Sequence, residues 1–362
     1  MTVSTLFDPL SFARGPAMKN RFMLAPLTNL QSHADGTLSD DEYRWLTMRA
    51  AGGFALVITA ASHVQKAGQG FAGQIGVFGD EHLEGLTRLA AGIRSQGANA
   101  AVQLHHAGNR SPKELVGTPV GPSDDAKTGA RALTPGEVEA LRDDFIAAAK
   151  RAETAGFDGV EVHGAHGYVL SQFLSPEINR RDDRYGGSLA NRARLLFEII
   201  DGIRAACRPD FQLGLRLSPE RFGLRLMEIR EVAAQVLAGG RIDYLDLSLW
   251  DVAKEPNEEA NKGRSLLSHF TDLPRGNVRL AAAGKVMNAA AARGVLAAGC
   301  DFVVIGRAAV LRHDFPERVR RDAAYESPAL PVTSRHLAEE GLGPAFVNYM
   351  RSWPGFVDAP AG

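Results

Sequence analysis

Cysteine is scarce in this sequence, with only Cys207 and Cys300 among 362 residues. Two thiols cannot build a disulfide framework, so a packed core must hold the chain, and the usage fits a reducing compartment. Both read as small core hydrophobes rather than nucleophiles. Charge of one sign is lacking too. Lys and Arg number 41 against 42 Asp and Glu, a formal net charge of -1, with no block of like charge. A footprint for nucleic acid or an anionic membrane is therefore missing, and the expected partner is a small molecule. The apolar runs are too short to span a bilayer. Met1–Phe12 has neither the basic nor the apolar region of a secretory leader. The expectation is a cytoplasmic protein with no nucleic-acid or membrane partner.

The composition that remains, 45% hydrophobic and 23% charged, is that of a core-forming globular chain long enough for two domains or one α/β barrel. Short apolar runs recur at Phe22–Ala25, Ala55–Thr59, Ala100–Leu104, Gly159–His163, Leu213–Leu217, Tyr244–Leu247, Val278–Ala282 and Phe302–Ile305. They are continuous rather than alternating, as parallel strands covered on both faces require. Amphipathic stretches lie between them, at Glu81–Gln96, Thr134–Ala155, Asn191–Cys207, Glu228–Ala238 and Asn288–Ala298. Gly97, Gly156, Gly239 and Gly299 follow four of these and fit helix C-caps.

Eight strands with helical crossovers leave a closed barrel or an open doubly wound sheet. The open sheet needs a Gly-rich turn after its first strand. Here that strand runs into Ala25-Pro26-Leu27-Thr28-Asn29, without glycine. The predicted fold is thus a (β/α)8 TIM barrel over 1–320, with a short N-terminal hairpin cap. Residues 321–362 form a C-terminal extension packed on the barrel or a neighbouring subunit. In such a barrel, functional groups sit at the C-terminal strand ends. That rule selects Thr28, Thr59, Gln103, His105, His163, His166, Tyr168, Arg216, Gly284 and Arg307. Two long inserts, 105–133 and 248–277, read as lids, binding loops or disordered segments.

The densest chemistry lies at Val160–Tyr168, where a strand ends in His163 and two glycines, Gly164 and Gly167, let the following loop turn tightly. Two imidazoles and a phenol there suit polarising a carbonyl oxygen, each imidazole offering an N–H. A phenol that keeps its proton at neutral pH is a ready general acid. Paired histidines beside Glu161, with His105 and His106, are also zinc donors, so a metal-dependent hydrolase or aldolase stays open. Arg216, near the end of an apolar strand, needs an anionic partner or ligand, and an internal salt bridge would satisfy it. Alternation along the third strand puts Gln103 and His105 on one side and His106 on the other. Gly284, Gly306 and Arg307 close the last two strands, the usual phosphate site of this fold.

With these residues in place, the sequence resembles the old yellow enzyme (NADH:flavin oxidoreductase) family. The likeness is carried by Lys19–Thr28, Val102–Gly108, His163–Tyr168, Gln172–Pro176, Asn179–Ser188, Asn191-Arg192, Arg194, Arg216 and Gly306-Arg307, in order over roughly 5–320. The resemblance implies noncovalent FMN across the barrel mouth and NADPH or NADH as hydride donor. Pro26, Leu27, Thr28 and Ala60 would line the isoalloxazine, and Gln103 and Arg216 would reach its pyrimidine edge. There Arg216 would stabilise the reduced, anionic ring. Gly284, Gly306 and Arg307 would hold the phosphate, with Lys285 a further cation beside them. His163 and His166 would bind a substrate carbonyl, and Tyr168 would protonate the α-carbon while flavin N5 delivers hydride to the β-carbon. The implied activity is an ene-reductase acting on enones and related alkenes.

Some positions depart from the family pattern. His105 stands where relatives often carry Trp or Ala, and Leu30 where one branch has a substrate-contacting Tyr. Thr28 replaces the thiol of another branch. Arg351, in a Tyr349-x-Arg351-x-Trp353 tail, resembles an Arg that reaches a neighbouring subunit's active site in some relatives, which implies a homo-oligomer. Flavin-dependent amine demethylation or dienoyl-thioester reduction is the alternative within the family.

Overall fold

The computed structural model describes residues 5–358, so residues 359–362 of the expected extension lie outside the description. Eight parallel strands close into a barrel: β1 (Phe22–Leu24), β2 (Leu56–His63), β3 (Asn99–His105), β4 (Gly159–Gly164), β5 (Gln212–Leu217), β6 (Tyr244–Ser248), β7 (Arg279–Ala283) and β8 (Phe302–Ile305). β8 pairs back onto β1, with Phe22, Met23 and Leu24 opposite Val303, Val304 and Ile305. All residues of β2 through β6 are buried, which is why these strands read as continuous rather than alternating runs.

The helices wrap the strands: α1 (Asp40–Ala51), α2 (Leu83–Ser95), α3 (Pro135–Thr154), α4 (Leu189–Ala206), α5 (Leu226–Gly239), the single turn α6 (Ser268–Thr271), and α7 (Ala289–Ala297). Their starts are chemically marked. Thr134 and Glu137 cap α3 reciprocally, and Ser188 and Asn288 cap α4 and α7. Gly97, Gly156 and Gly299 follow their helices with positive φ. At α5 the sequence reading is off by one residue. Gly239 is still helical, and Gly240, in the left-handed region, is the cap.

Two apolar cores result. The larger fills the space between strands and helices. The smaller plugs the barrel's lower end, where Phe12 packs on Tyr244 and Phe302 at 6.1 and 6.0 Å. Phe12 sits between Leu10 and Met18, which pair antiparallel as the expected hairpin cap.

The insert after β3 is ordered rather than loose. It holds a short helix (Lys113–Val116) and two paired two-residue strands. The Gln172 side chain ties it down by accepting from Asn109 N and donating to the Ala107 and Gly167 carbonyls. Beyond the barrel, α8 (Ser334–Glu339) and α9 (Pro344–Arg351) fold back on the same chain. Phe346 packs edge-on against Trp45 at 4.9 Å, and Gly343 N donates to Gln31. No helix among the described residues is long and apolar enough to cross a membrane.

Candidate active site

A cavity of about 730 Å3 opens at the C-terminal ends of the strands, within the range of small-molecule and cofactor sites. A second, of about 160 Å3, continues from it under the C-terminal helix. The surrounding loops are backbone-strained. Every described non-glycine residue with positive φ lies on a segment that follows a barrel strand: Leu30 after β1, His166 after β4, Arg221 and Phe222 after β5, Trp250 after β6 and Lys285 after β7. Such conformations cost of order 1–3 kcal/mol each and persist where the surroundings over-determine them. At β7 the next residue must be glycine, because a Cβ on Gly284 would sit 2.7 Å from Asp251 N.

His163 is the penultimate residue of β4, and His166 is carried on the turn that follows. Ala165 N donates to His163 Nδ1 at 3.2 Å, so the ring proton lies on Nε2. That Nε2 is 3.3 Å from His166 Nδ1, and His166 Nε2 is 2.7 Å from Ser248 Oγ. Burial, reinforced by His166, His105, Arg216 and Arg110, holds His163 well below its ordinary pKa. Burial, with Arg216 and Arg110, pushes His166 down to about 3. Both rings are therefore neutral at physiological pH and offer one N–H each. Tyr168 stands over His163 with ring centroids 5.3 Å apart. Burial raises its pKa while the nearby Arg110 cation opposes the rise, so the phenol keeps its proton.

Below this cluster lies a polar layer inside the barrel. Gln103 donates to Glu161 at 2.8 Å, and Arg216 pairs with Asp246 at 3.2 Å. Burial and the neighbouring Asp246 push Glu161 up to about 8, and burial raises Asp246 as well. Arg216 thus has the internal salt bridge that the sequence reading allowed for. Its Nε and Nη1 nevertheless lack hydrogen-bond partners, and the residue also borders the large cavity. Glu161 is committed to this layer rather than to the histidines. Among the described residues no three His, Cys, Asp or Glu side chains converge as a metal site.

Most residues selected from sequence meet at the cavities. Pro26, Leu27, His166, Tyr168, Arg216, Gly284, Gly306 and Arg307 line the larger one. Thr28, Gln103 and His163 line the smaller. Ala60, Leu30 and His105 line neither. A register shift between Ile58 and Ala61 leaves Ala60 in the core between strands and helices, and Ala61 lines the small cavity instead. Leu30 is held in a left-handed turn. His105 lies behind Tyr168, edge-on at 4.4 Å, with its Nδ1 3.0 Å from Gln74. His106 faces the other way, as alternation requires, and accepts from Gly108 N.

The sequence reading missed Ser248, Arg110, Phe222, Trp250 and Lys254, all of which border the large cavity. Ser248 was within reach of the strand-end rule, since it is the last residue of β6. Arg110, Trp250 and Lys254 lie on the two long inserts and Phe222 on the loop between β5 and α5, where spacing carries no signal. The tail supplies Trp353 to both cavities and Phe346, Tyr349 and Met350 to the smaller. Arg351 does not line them. It is exposed and bonded to Ser334 and Asn348.

A closed parallel barrel with a long mouth cavity, an imidazole–phenol cluster along it and arginines at β5 and β8 has the layout of a flavin-dependent oxidoreductase. Residues 5–326 match the NADH:flavin oxidoreductase / NADH oxidase family, and the chain belongs to it. It is 37% identical over 327 residues to a probable NADH-dependent flavin oxidoreductase, YqiG, of Bacillus subtilis, covering 87% of each chain. An NADPH dehydrogenase of Clostridium acetobutylicum is 36% identical over 242 residues, 65% of this chain and 71% of that one. The old yellow enzyme homologue from Zymomonas mobilis superposes with a TM-score of 0.81 at 25% identity, over 96% of this chain and 99% of that one. The protein is thus an NAD(P)H-dependent oxidoreductase that uses FMN. Its residues fit that cofactor. Arg216 presents unpartnered buried N–H groups, and Arg307 at the cavity wall has no carboxylate partner among the described residues.

Proposed function

We propose that the enzyme reduces activated C=C bonds, enones and related alkenes, at the His163–His166–Tyr168 cluster. Pro26, Leu27 and Thr28 would hold the isoalloxazine face, with Ala60 behind them. Gln103 and Arg216 would take its pyrimidine edge, and Gly284, Gly306 and Arg307 the phosphate. FMN held there would supply the redox chemistry, two-electron hydride exchange between NAD(P)H and the alkene.

The observation that carries this reading is the 3.3 Å approach of His163 Nε2 and His166 Nδ1 beside a protonated phenol. In the free protein that contact is a hydrogen bond in which His163 Nε2–H donates to His166 Nδ1; a carbonyl oxygen seated between the rings would take an N–H from each once His166 carries its proton on Nδ1. For His166 to present its proton on Nδ1, its Nε2 must accept from Ser248. The Ser248 hydroxyl can donate because its own oxygen accepts from Arg216 Nη2 at 3.5 Å. Tyr168 then gives its proton to the α-carbon as charge develops there. His105, packed against the Tyr168 ring, and Leu30 would shape the pocket from behind. Reducing 2-cyclohexenone with 4-deuterated NAD(P)H tests this. Deuterium is expected at the β-carbon and a solvent hydrogen at the α-carbon, and the opposite labelling or an unreduced alkene defeats the reading.

We also place the protein in the cytoplasm, a reading supported by its two free, buried thiols. A homo-oligomer in which Arg351 reaches a neighbouring active site is supported by that residue's exposure. Cross-linking that leaves Arg351 remote from every flavin removes it.

A further inference from the structure

Five cations line the large cavity. Three are neutralised within the chain: Arg216 by Asp246 at 3.2 Å, Lys285 by Asp251 at 2.9 Å, and Lys254 by Glu220. Arg307 is accounted for by the cofactor phosphate. That leaves Arg110, which donates to the His166 carbonyl and has no carboxylate partner among the described residues. A second free guanidinium adjoins the same rim. Arg221 stacks over the Trp250 ring with its Cζ 4.7 Å from the centroid, and it too lacks an acidic partner among the described residues. Between the two lies Phe222, 5.9 Å from the Arg110 Cζ.

Three of these residues, Arg221, Phe222 and Trp250, are held in left-handed backbone. Trp250 keeps 54% of its surface exposed. The Arg221 guanidinium on one face of the Trp250 indole orients that half-exposed ring at the cavity rim, where the backbone of each residue is held in a strained turn. The wall offers flat π faces and two positive charges with no internal anion. Its complement is a flat, π-bearing ligand that carries negative charge.

We propose that Arg221, Phe222 and Trp250, with Arg110, form the docking site for the adenosine diphosphate half of the NAD(P)H donor. The adenine lies on the Trp250 and Phe222 faces, and the diphosphate lies between the guanidiniums. The assignment rests on the hydride-donor role of NAD(P)H and adds the part of that donor remote from the reacting carbon. Hydride transfer itself is unchanged; the wall supplies binding only.

The test uses the FMN-loaded protein and two donors, NAD(P)H and 1-benzyl-1,4-dihydronicotinamide, which has the reactive ring but no ADP. In anaerobic flavin bleaching, Trp250→Ala should raise the apparent Kd for NAD(P)H by about 5- to 150-fold for the lost base stacking, and Arg221→Ala by about 10- to 150-fold for the lost charge-assisted phosphate contact. The limiting bleaching rate should not change. Reduction by the benzyl donor should stay within about twofold of wild type, and Trp250→Phe, which keeps an aromatic face, should recover most of the affinity. ADP-ribose should quench tryptophan fluorescence in the wild type and lose that effect in Trp250→Ala. Equal losses with both donors, or no loss with either, overturn the subsite while leaving the activity in place. Wild-type protein that bleaches with neither donor overturns the activity itself and the subsite with it.

Discussion

Replacing Tyr168 by Phe removes one oxygen and nothing else. The ring would keep its edge-on packing against His105 at 4.4 Å and His163 at 5.3 Å, and the Arg110 guanidinium 4.8 Å from its centroid. The hydroxyl makes no hydrogen bond within the described chain, so its loss orphans no buried partner. Stability should therefore stay within about 0.5 kcal/mol of wild type. The catalytic effect is of another size. A positioned general acid contributes about 10²- to 10⁴-fold, roughly 3–5 kcal/mol of barrier. Burial and nearby cations hold the flanking rings, His163 and His166, neutral, so neither carries a spare acidic proton to replace the phenol's. The assay is anaerobic stopped-flow with the half-reactions separated. Bleaching by NAD(P)H should proceed at the wild-type rate, and re-oxidation by 2-cyclohexenone should slow by about two to four orders of magnitude. Equal slowing of both, or unimpaired alkene reduction, refutes Tyr168 as the proton donor.

Arg307→Ala should weaken FMN binding by about 10- to 150-fold, the value of one charge-assisted contact. Titrating apoprotein with FMN measures it, and unchanged affinity would move the phosphate elsewhere. Burial holds His106 down to about 3. Between pH 6.5 and 3 the unfolded chain therefore takes up a proton that the folded chain refuses. The wild type should accordingly lose stability relative to His106→Asn as pH falls through that window, by up to about 1.4 kcal/mol per pH unit. Urea midpoints compared at each pH check the sign. Glu161 runs the other way, because burial pushes it up to about 8 and the folded chain binds the extra proton between pH 4.5 and 8. Glu161→Gln should gain on wild type as pH rises through that window. A variant that falls behind would mean the carboxyl is ionised in the fold.

The barrel was legible because its strands are buried on both faces, which leaves apolar runs with no competing periodicity. Boundaries failed where local chemistry was ambiguous. β2 runs on to His63 because a bulge after Ile58 re-registers Ala61–His63 against Gln103–His105, and a stretch of small and polar residues does not announce that pairing. α1 escaped the periodicity reading although Ser39 and three acidic residues mark its start. At the site, the residues on and just after strands β3, β4, β5 and β8 were found because barrel geometry dictates where strand ends point. Arg110 and Trp250 were not, since their places depend on how inserts fold back over the mouth. The sequence also could not distinguish paired cations from free ones. Lys285 and Lys254 meet Asp251 and Glu220 only through long-range closure.

The central claim is a flavin that NAD(P)H reduces and an activated alkene reoxidises at one cluster. The direct measurement is the absorbance of the FMN-loaded protein under anaerobic conditions. Addition of NAD(P)H should bleach the yellow band, and 2-cyclohexenone should restore it in stoichiometric amount, with His163→Ala/His166→Ala protein bleaching but failing to recover. Protein that takes up no FMN, or a band that bleaches and recovers equally well without the two histidines, would contradict the account.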